Sequence, residues 1–133
     1  MSDTSRNVVA YLTVKGGAAA IVFYENAFGA KLAAKQLADD GHRILHADLE
    51  LNGGRLYLSD EFEGAGGTSS PATLGGTSVT IHLEVENPDA LWNRALGAGA
   101  TEIMPLEKQF WGAKYGKLRD PFGHVWSIGG PVE

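Results

Sequence analysis

Apolar and polar residues alternate along several short stretches of this chain. The clearest stretch is residues 44–51, where Leu45, Ala47, Leu49 and Leu51 alternate with polar residues. A period of two is typical of a strand with one buried face, so this stretch is predicted to be a strand. Alternation, β-branched residues and flanking turn signals predict further strands at residues 8–14, 32–38, 55–59, 79–85, 103–111, 114–119 and 124–128.

Two stretches show helical spacing instead. In residues 18–28, apolar side chains at i, i+3 and i+7 from Ile21 fall on one face of a helix. A second helix is predicted from Asn87 to about residue 96, because Asn87 can cap it and Pro88 suits its first turn. Trp92 belongs to the inward face of this second helix.

The two halves of the chain repeat the same order of elements. Strand ends at Val14 and Val85, helix ends at Gly29 and Gly99, and turns at 52–54 and 121–123 are separated by 71, 70 and 69 residues. We therefore predict an α+β domain spanning residues 1–133, in which two βαβββ modules form a curved mixed sheet around a cavity. Module one covers about residues 7–60, and module two covers about residues 77–130. The connector at 61–76 contains five glycines and is expected to be flexible.

Composition restricts the classes of function. The 133 residues are 44% hydrophobic, which is enough for one core, and the net charge is −5. No basic stripe is present, so nucleic acid is not an expected partner. Cysteine is absent, which excludes thiolate metal sites and cysteine nucleophiles. No run approaches the roughly 18 apolar residues that span a bilayer, so no membrane partner is expected and the cytoplasm is the expected location.

Polar side chains of the predicted strands fall on the sheet face opposite the helices. This set consists of Tyr11, Thr13, His46, Asp48, Glu50, Thr80, His82, Glu84, Tyr115, Lys117, Arg119 and Ser127. Because the helix covers the other face, these residues are expected to line the cavity, which is where a small-molecule ligand would bind.

Several longer motifs carry a family resemblance. The segments FYENAFG at 23–29 and DPFGH at 120–124 resemble the vicinal oxygen chelate superfamily, which holds glyoxalase I, bleomycin resistance proteins and extradiol dioxygenases. More narrowly, SPATLGGT at 70–77, QFWG at 109–112 and YGKLRDPFGH at 115–124 resemble its PhnB-like branch. The resemblance covers nearly the whole chain and implies the paired-module fold.

The superfamily resemblance also implies a divalent metal, held by one residue from the first and one from the last strand of each module. The corresponding positions in this sequence are Val9, Leu58, Thr80 and Ser127. None is a histidine or a carboxylate, which such a metal requires, so no cofactor is expected and a divalent metal is not favoured. A slip of two residues in the strand register would place Tyr11 and His82 at ligand positions instead.

Three kinds of function remain open. An enzyme would use His46 or His82 as a general base, Asp48 to orient it, and Lys117 or Arg119 to stabilise an enolate or other anion.

The resemblance to antibiotic-sequestering members of the superfamily implies binding without chemistry, in a groove between the subunits of a homodimer. Trp111 and Tyr115 suit an aromatic-lined groove, while Glu50 and Glu84 suit a cationic ligand. Lys117, Arg119, Thr80 and Ser127 complete the predicted ligand-binding set. The third possibility, an interaction protein without a ligand, predicts a cavity filled by side chains.

Overall fold

Each half of the chain folds into one helix and one four-stranded mixed sheet, which confirms the predicted α+β fold of two βαβββ modules. The structure is a computed structural model, and it describes residues 7–64 and 66–132. Module one comprises β1 (Ala10–Val14), α1 (Gly17–Phe28), β2 (Lys31–Leu37), β3 (Ile44–Leu51) and β4 (Gly54–Asp60). Module two comprises β5 (Thr80–Glu84), α3 (Pro88–Ala98), β6 (Thr101–Lys108), β7 (Ala113–Arg119) and β8 (Val125–Pro131). A short helix, α2 (Pro71–Leu74), lies between the modules.

The two sheets have the same topology. Their strand orders are β1-β4-β3-β2 and β5-β8-β7-β6, with the first pair parallel and the others antiparallel. The modules therefore form two separate sheets. Within the described residues, none of the helices is long and apolar enough to cross a bilayer.

Helix α1 ends, and helix α3 begins, at the residue that the sequence predicted. Gly29 ends α1 with a left-handed backbone at φ 75°, a conformation that glycine adopts without steric cost. Asn87 caps α3, and its side chain accepts the Ala90 N–H at 3.2 Å. Arg94 of α3 also donates to the last carbonyls of α1, those of Glu25 and Asn26, where a cation complements the helix dipole.

One apolar core lies between the helices and the helix-facing sides of both sheets. Module one contributes Leu49, Leu56 and Leu58, and module two contributes Leu118, Trp126 and Ile128. The ring of Phe28 in α1 lies 4.5 Å from that of Trp126 in β8. Since both sheets turn their apolar side to this shared core, the opposite face of each sheet is directed outward.

A buried carboxylate joins the two modules. Asp120 accepts the Tyr24 hydroxyl at 2.5 Å and the Trp126 indole N–H at 2.9 Å, as well as the backbone N–H groups of Phe122 and His124. Burial, followed by the charge of Asp120 and this hydrogen bond, raises the pKa of Tyr24 well above its usual value. The motifs at 23–29 and 120–124 are therefore in direct contact, and the hydrogen bond from Tyr24 to Asp120 holds α1 against the module two hairpin.

Two local predictions were wrong. Leu45 is 48% exposed, because a register shift between Gln36 and Leu37 makes it the extra residue of a β-bulge, while Ile44 enters the core. Trp111 lies in the turn after β6, which Gly112 closes at φ 94°. The connector contains α2, which Glu61 supports by accepting the Ser70 N–H and the Thr73 hydroxyl, and the hydrogen bond between the Thr68 and Thr13 hydroxyls joins it to β1 of module one.

Candidate functional site

The face of each sheet that lies opposite the helices is called the open face below. On the open face of module two, the strands present Thr80, His82, Glu84, Tyr115, Lys117, Arg119 and Ser127. The intervening residues Leu83, Gly116 and Leu118 are buried on the other side, which fixes the alternation. Of the nine predicted site residues, six lie on strands of module two, His46 and Asp48 lie on β3 of module one, and Trp111 lies in the turn after β6.

His82 is held between two polar partners. Its Nδ1 lies 2.7 Å from the Ser127 hydroxyl, and its Nε2 lies 2.8 Å from a Glu84 carboxylate oxygen. A carboxylate only accepts, so the hydrogen-bond network assigns the ring hydrogen to Nε2 and leaves Nδ1 to accept from Ser127. Ser127 is only 1% exposed, whereas the His82 side chain reaches the surface of the groove. The arrangement can move a proton between Ser127 and His82.

Aromatic rings adjoin this pair. The Tyr115 ring is nearly parallel to the His82 ring, with centroids 5.8 Å apart and an angle of 22°. The Trp111 ring lies 6.2 Å from that of Tyr115 and is 55% exposed. A groove of about 570 Å³ runs along these residues, with Thr80, Ser127 and Gly129 in its wall.

Gly129 leaves room for the His82 ring in this arrangement. A Cβ at this position would come within 2.9 Å of Cε1 of His82, closer than non-bonded carbon atoms approach. The absent side chain therefore lets the imidazole lie over β8.

Two cations extend the open face of module two beyond the groove. Lys117 is the direct cross-strand partner of Ser127, and Arg119 pairs with Val125 at the end of β7. Among the described residues, neither belongs to an ion pair. Lys114, by contrast, is bound to Asp89 at 2.7 Å on the helix side of the sheet. Lys117 is thus a cation without an ion-pair partner among the described residues, at the strand position opposite Ser127.

Module one holds a different cluster around His46. Its Nδ1 lies 2.8 Å from the Tyr11 hydroxyl, and the Tyr57 ring lies 4.9 Å from the imidazole. Burial raises the pKa of Tyr11, and the neighbouring Tyr57 raises it further. The structure therefore supplies His46 with a phenol partner rather than a carboxylate.

Asp48 does not orient a histidine. Both its oxygens accept from Arg55, at 2.8 and 2.9 Å, and the structure gives it no hydrogen bond to His46 or His82. The β3–β4 register explains this ion pair, because Arg55 lies two residues before Tyr57, the cross-strand partner of Asp48. The carboxylate hydrogen-bonded to His82 is that of Glu84, a residue that the alternation had placed on the same face.

The four positions that the superfamily resemblance assigns to metal ligands hold residues of other types in this chain. Leu58 is fully buried in the core, so its assignment to the open face was wrong. Tyr57 takes that place, since it pairs with Tyr11 as Ser127 pairs with His82.

The corrected set is Val9, Tyr57, Thr80 and Ser127, which again lacks histidine and carboxylate ligands. Within residues 7–64 and 66–132, no three His, Cys, Asp or Glu side chains come together as a metal site. These donors do not fit a divalent ion of this type.

Two other grooves, of about 740 and 930 Å³, lie away from this chemistry. The first surrounds the β3–β4 turn. The second lies between the β1–α1 turn and the connector, where Asp60 accepts the N–H groups of Gly16, Gly17 and Ile44. That carboxylate is fully engaged in holding the turn, so its role is structural.

Comparison with known proteins gives the same fold. The family model of the Glyoxalase/Bleomycin resistance protein/Dioxygenase superfamily matches residues 7–128. The uncharacterized protein Rv0887c of Mycobacterium tuberculosis is 48% identical over 124 residues, which cover 92% of this chain and 72% of that protein.

Solved structures extend the comparison. The crystal structure of TioX from Micromonospora sp. ML1 is 26% identical, with a TM-score of 0.76 over 96% of this chain and 100% of that one. The PhnB protein from Bacillus cereus is 23% identical, with a TM-score of 0.67 over 94% and 99%, and supports the fold.

Proposed function

The chain belongs to the glyoxalase/bleomycin resistance protein/dioxygenase superfamily, and on this premise we propose that it binds a small organic molecule on the open face of module two. The observation that carries the proposal is the exposed Trp111 beside Tyr115 and His82, along a groove lined by hydrogen-bonding groups. Large aromatic side chains with adjacent polar groups are typical of ligand sites. Tyr115, Trp111, Thr80 and Ser127 would contact the ligand, and Lys117 and Arg119 would attract an anionic part of it.

We propose further that binding requires no divalent metal. The support is the donor set at the four ligand positions, of which two are hydroxyls, one a phenol and one an aliphatic side chain. Such groups bind Zn²⁺, Mn²⁺ or Fe²⁺ weakly compared with imidazole and carboxylate.

A second copy of the chain is proposed to complete the site. β1 and β5 are edge strands, each paired on one side only, and both open faces are directed outward. The open face of module one carries Asp48 and Glu50 where module two carries Lys117 and Arg119. A homodimer that sets module one of one copy opposite module two of the other would join complementary charges and enclose the groove.

Metal analysis and tryptophan fluorescence together test the proposal. Trp92 and Trp126 are buried, at 6% and 0% exposure, so a ligand in the groove should quench chiefly Trp111. We expect less than 0.1 metal ion per chain after dialysis against Zn²⁺, Mn²⁺ or Fe²⁺, on the order of background. We also expect saturable quenching by a member of a library of small aromatic compounds in the presence of EDTA. Trp111→Ala should abolish the signal, while Tyr11→Ala, on module one, should retain it.

Stoichiometric metal retention would overturn the metal-free part of the proposal. Failure of the whole library to give saturable quenching would overturn ligand binding on this face. Sedimentation equilibrium tests the dimer separately, and a monomer at all concentrations would contradict it.

A further inference from the structure

We propose that Ser127 is a nucleophile, activated by His82 and Glu84, and that module two hydrolyses a small ester or thioester. The inference goes beyond binding, but it rests on the proposed function because the substrate would occupy the same groove. It is carried by the hydrogen-bonded chain from Glu84 through His82 to Ser127. A nucleophile bonded to a base, which is in turn oriented by a carboxylate, is the arrangement by which serine acyl transfer is recognised on unrelated folds.

The two distances define the direction of proton transfer. Glu84 holds the imidazole hydrogen on Nε2, at 2.8 Å, so Nδ1 presents its lone pair to the Ser127 hydroxyl at 2.7 Å. The hydroxyl therefore donates to His82, as a serine must before it attacks a carbonyl carbon. The carboxylate also stabilises the imidazolium that forms when the proton arrives.

Lys117 supplies the positive charge that the reaction needs. It pairs directly with Ser127 across β7 and β8 and lies on the same face. Side chains at directly opposed positions have Cβ atoms about 5 Å apart. The ammonium group can therefore reach the carbonyl oxygen of a substrate whose carbon is bonded to Ser127 Oγ. A free lysine in this place can stabilise the oxyanion of a tetrahedral intermediate.

The steps balance with water as the second reactant. Ser127 Oγ forms a bond to the carbonyl carbon while its proton passes to His82 Nδ1. The bond from carbon to the leaving oxygen or sulfur then breaks, and the leaving group takes the proton from His82. Water next attacks the acyl-serine and gives a proton to His82, and collapse releases the acid and returns that proton to Ser127 Oγ.

Module one provides an internal reference for this assignment. Tyr11 and Tyr57 occupy the positions of His82 and Ser127, and His46 occupies that of Tyr115. His46 is hydrogen-bonded to Tyr11 and, among the described residues, to no serine of module one. The nucleophile is therefore expected in module two alone.

A fluorophosphonate probe tests the nucleophile on the full-length protein. Attack by Ser127 Oγ on phosphorus displaces fluoride, and mass spectrometry of the digested protein locates the adduct. We expect one adduct per chain, on the peptide that contains Ser127. Ser127→Ala and His82→Gln should remove it, whereas Ser59→Ala, a strand serine of module one, should leave labelling unchanged.

Turnover of p-nitrophenyl acetate tests the same residues without an inhibitor. Ser127→Ala is expected to lower kcat by at least about 100-fold, in line with the loss of general-base-assisted attack. Glu84 is a positioning residue, so Glu84→Gln should lower kcat by about tenfold or more with little change in KM, and Glu84→Asp should restore part of it.

An adduct at another residue, no adduct at all, or ester hydrolysis unchanged by Ser127→Ala would overturn the inference. Circular dichroism melting checks that the variants fold, and labelling of the unaltered protein needs no variant. Saturable Trp111 quenching without labelling would reject the nucleophile and leave ligand binding intact. Loss of both would reject the two proposals together.

Discussion

The two modules share a backbone and differ in their open faces. On the core side, Leu12, Leu49, Leu56 and Leu58 of module one correspond to Leu83, Leu118, Trp126 and Ile128 of module two, all buried and apolar. On the open side, Tyr11, His46, Asp48 and Tyr57 correspond to His82, Tyr115, Lys117 and Ser127. Packing against the helices restricts one face of each sheet, so the other face is free to carry different chemistry.

Histidine and tyrosine have exchanged places between the modules. In module one the first strand carries tyrosine and the third strand of the module carries histidine, and the phenol bonds the imidazole. In module two the order is reversed, so the imidazole lies beside β8 and reaches Ser127. The exchange gives the two imidazoles different partners, because His82 is hydrogen-bonded to the Ser127 hydroxyl whereas His46 is hydrogen-bonded to the Tyr11 phenol.

The largest expected effect comes from removing Asp120, the carboxylate that joins the two modules. Asp120→Ala leaves the Tyr24 hydroxyl, the Trp126 indole and two backbone N–H groups without their acceptor. Each unsatisfied buried donor costs about 1–3 kcal/mol before relaxation, so we expect a loss of about 3–5 kcal/mol in the free energy of unfolding. Urea denaturation measures it. Asp89→Ala, which removes a half-exposed ion pair with Lys114, is the control and should cost under about 1 kcal/mol. Equal effects would contradict the joining role of Asp120.

Tyr24→Phe removes one of these bonds and sharpens the comparison. A hydrogen bond to a charged group contributes about 1.5–3 kcal/mol, so a loss within that range is expected at neutral pH. The raised pKa of Tyr24 adds a pH signature. Its contribution is fully present below the unfolded pKa of about 10 and is lost as the pH rises through the folded pKa, with a slope approaching about 1.4 kcal/mol per pH unit.

Denaturation midpoints between pH 8 and 11 check this prediction. The alkaline loss of stability should flatten in Tyr24→Phe and persist in Tyr57→Phe, whose phenol lies on the open face. A steep alkaline limb in Tyr24→Phe, unchanged from that of the unaltered chain, would contradict the assignment.

Trp111→Ala should weaken ligand binding by about tenfold, corresponding to about 1.4 kcal/mol, because a large exposed ring is lost from the groove. Tyr11→Ala removes a ring of module one and should weaken binding less than Trp111→Ala does. Isothermal titration calorimetry with a library hit measures both. A greater loss for Tyr11→Ala would place the ligand site on module one.

The smallest effect is expected for the ion pair of module one. Asp48 and Arg55 are partly exposed, at 22% and 26% of their side chains, so Asp48→Asn should cost at most about 1 kcal/mol. The cost should shrink as salt is raised, since partly exposed pairs are screened. Chemical denaturation by urea at low and high salt tests this. A salt-independent loss of several kcal/mol would show that Asp48 has a buried structural role.

Periodicity in the sequence predicted the fold well but predicted the contacts of the site poorly. The offsets of 71, 70 and 69 residues reappear in the strand register, because both sheets must bury the same apolar pattern. Leu58 was placed on the wrong face because β4 was read without the pairing that sets Tyr57 opposite Tyr11. Alternation put His82 and Glu84 on one face, but it could not show that their side chains bond, since rotamers depend on neighbours such as Gly129.

The most direct test of the account is a fragment screen by two-dimensional NMR on isotope-labelled protein in EDTA, with the shifts assigned to residues. The central claim is that module two, and not module one, binds small organic molecules without a metal. The account predicts dose-dependent shifts that are largest at Trp111, Tyr115 and His82 and smaller at the amides around His46. Shifts confined to the surroundings of His46, or shifts that appear only when a divalent metal is added, would contradict it.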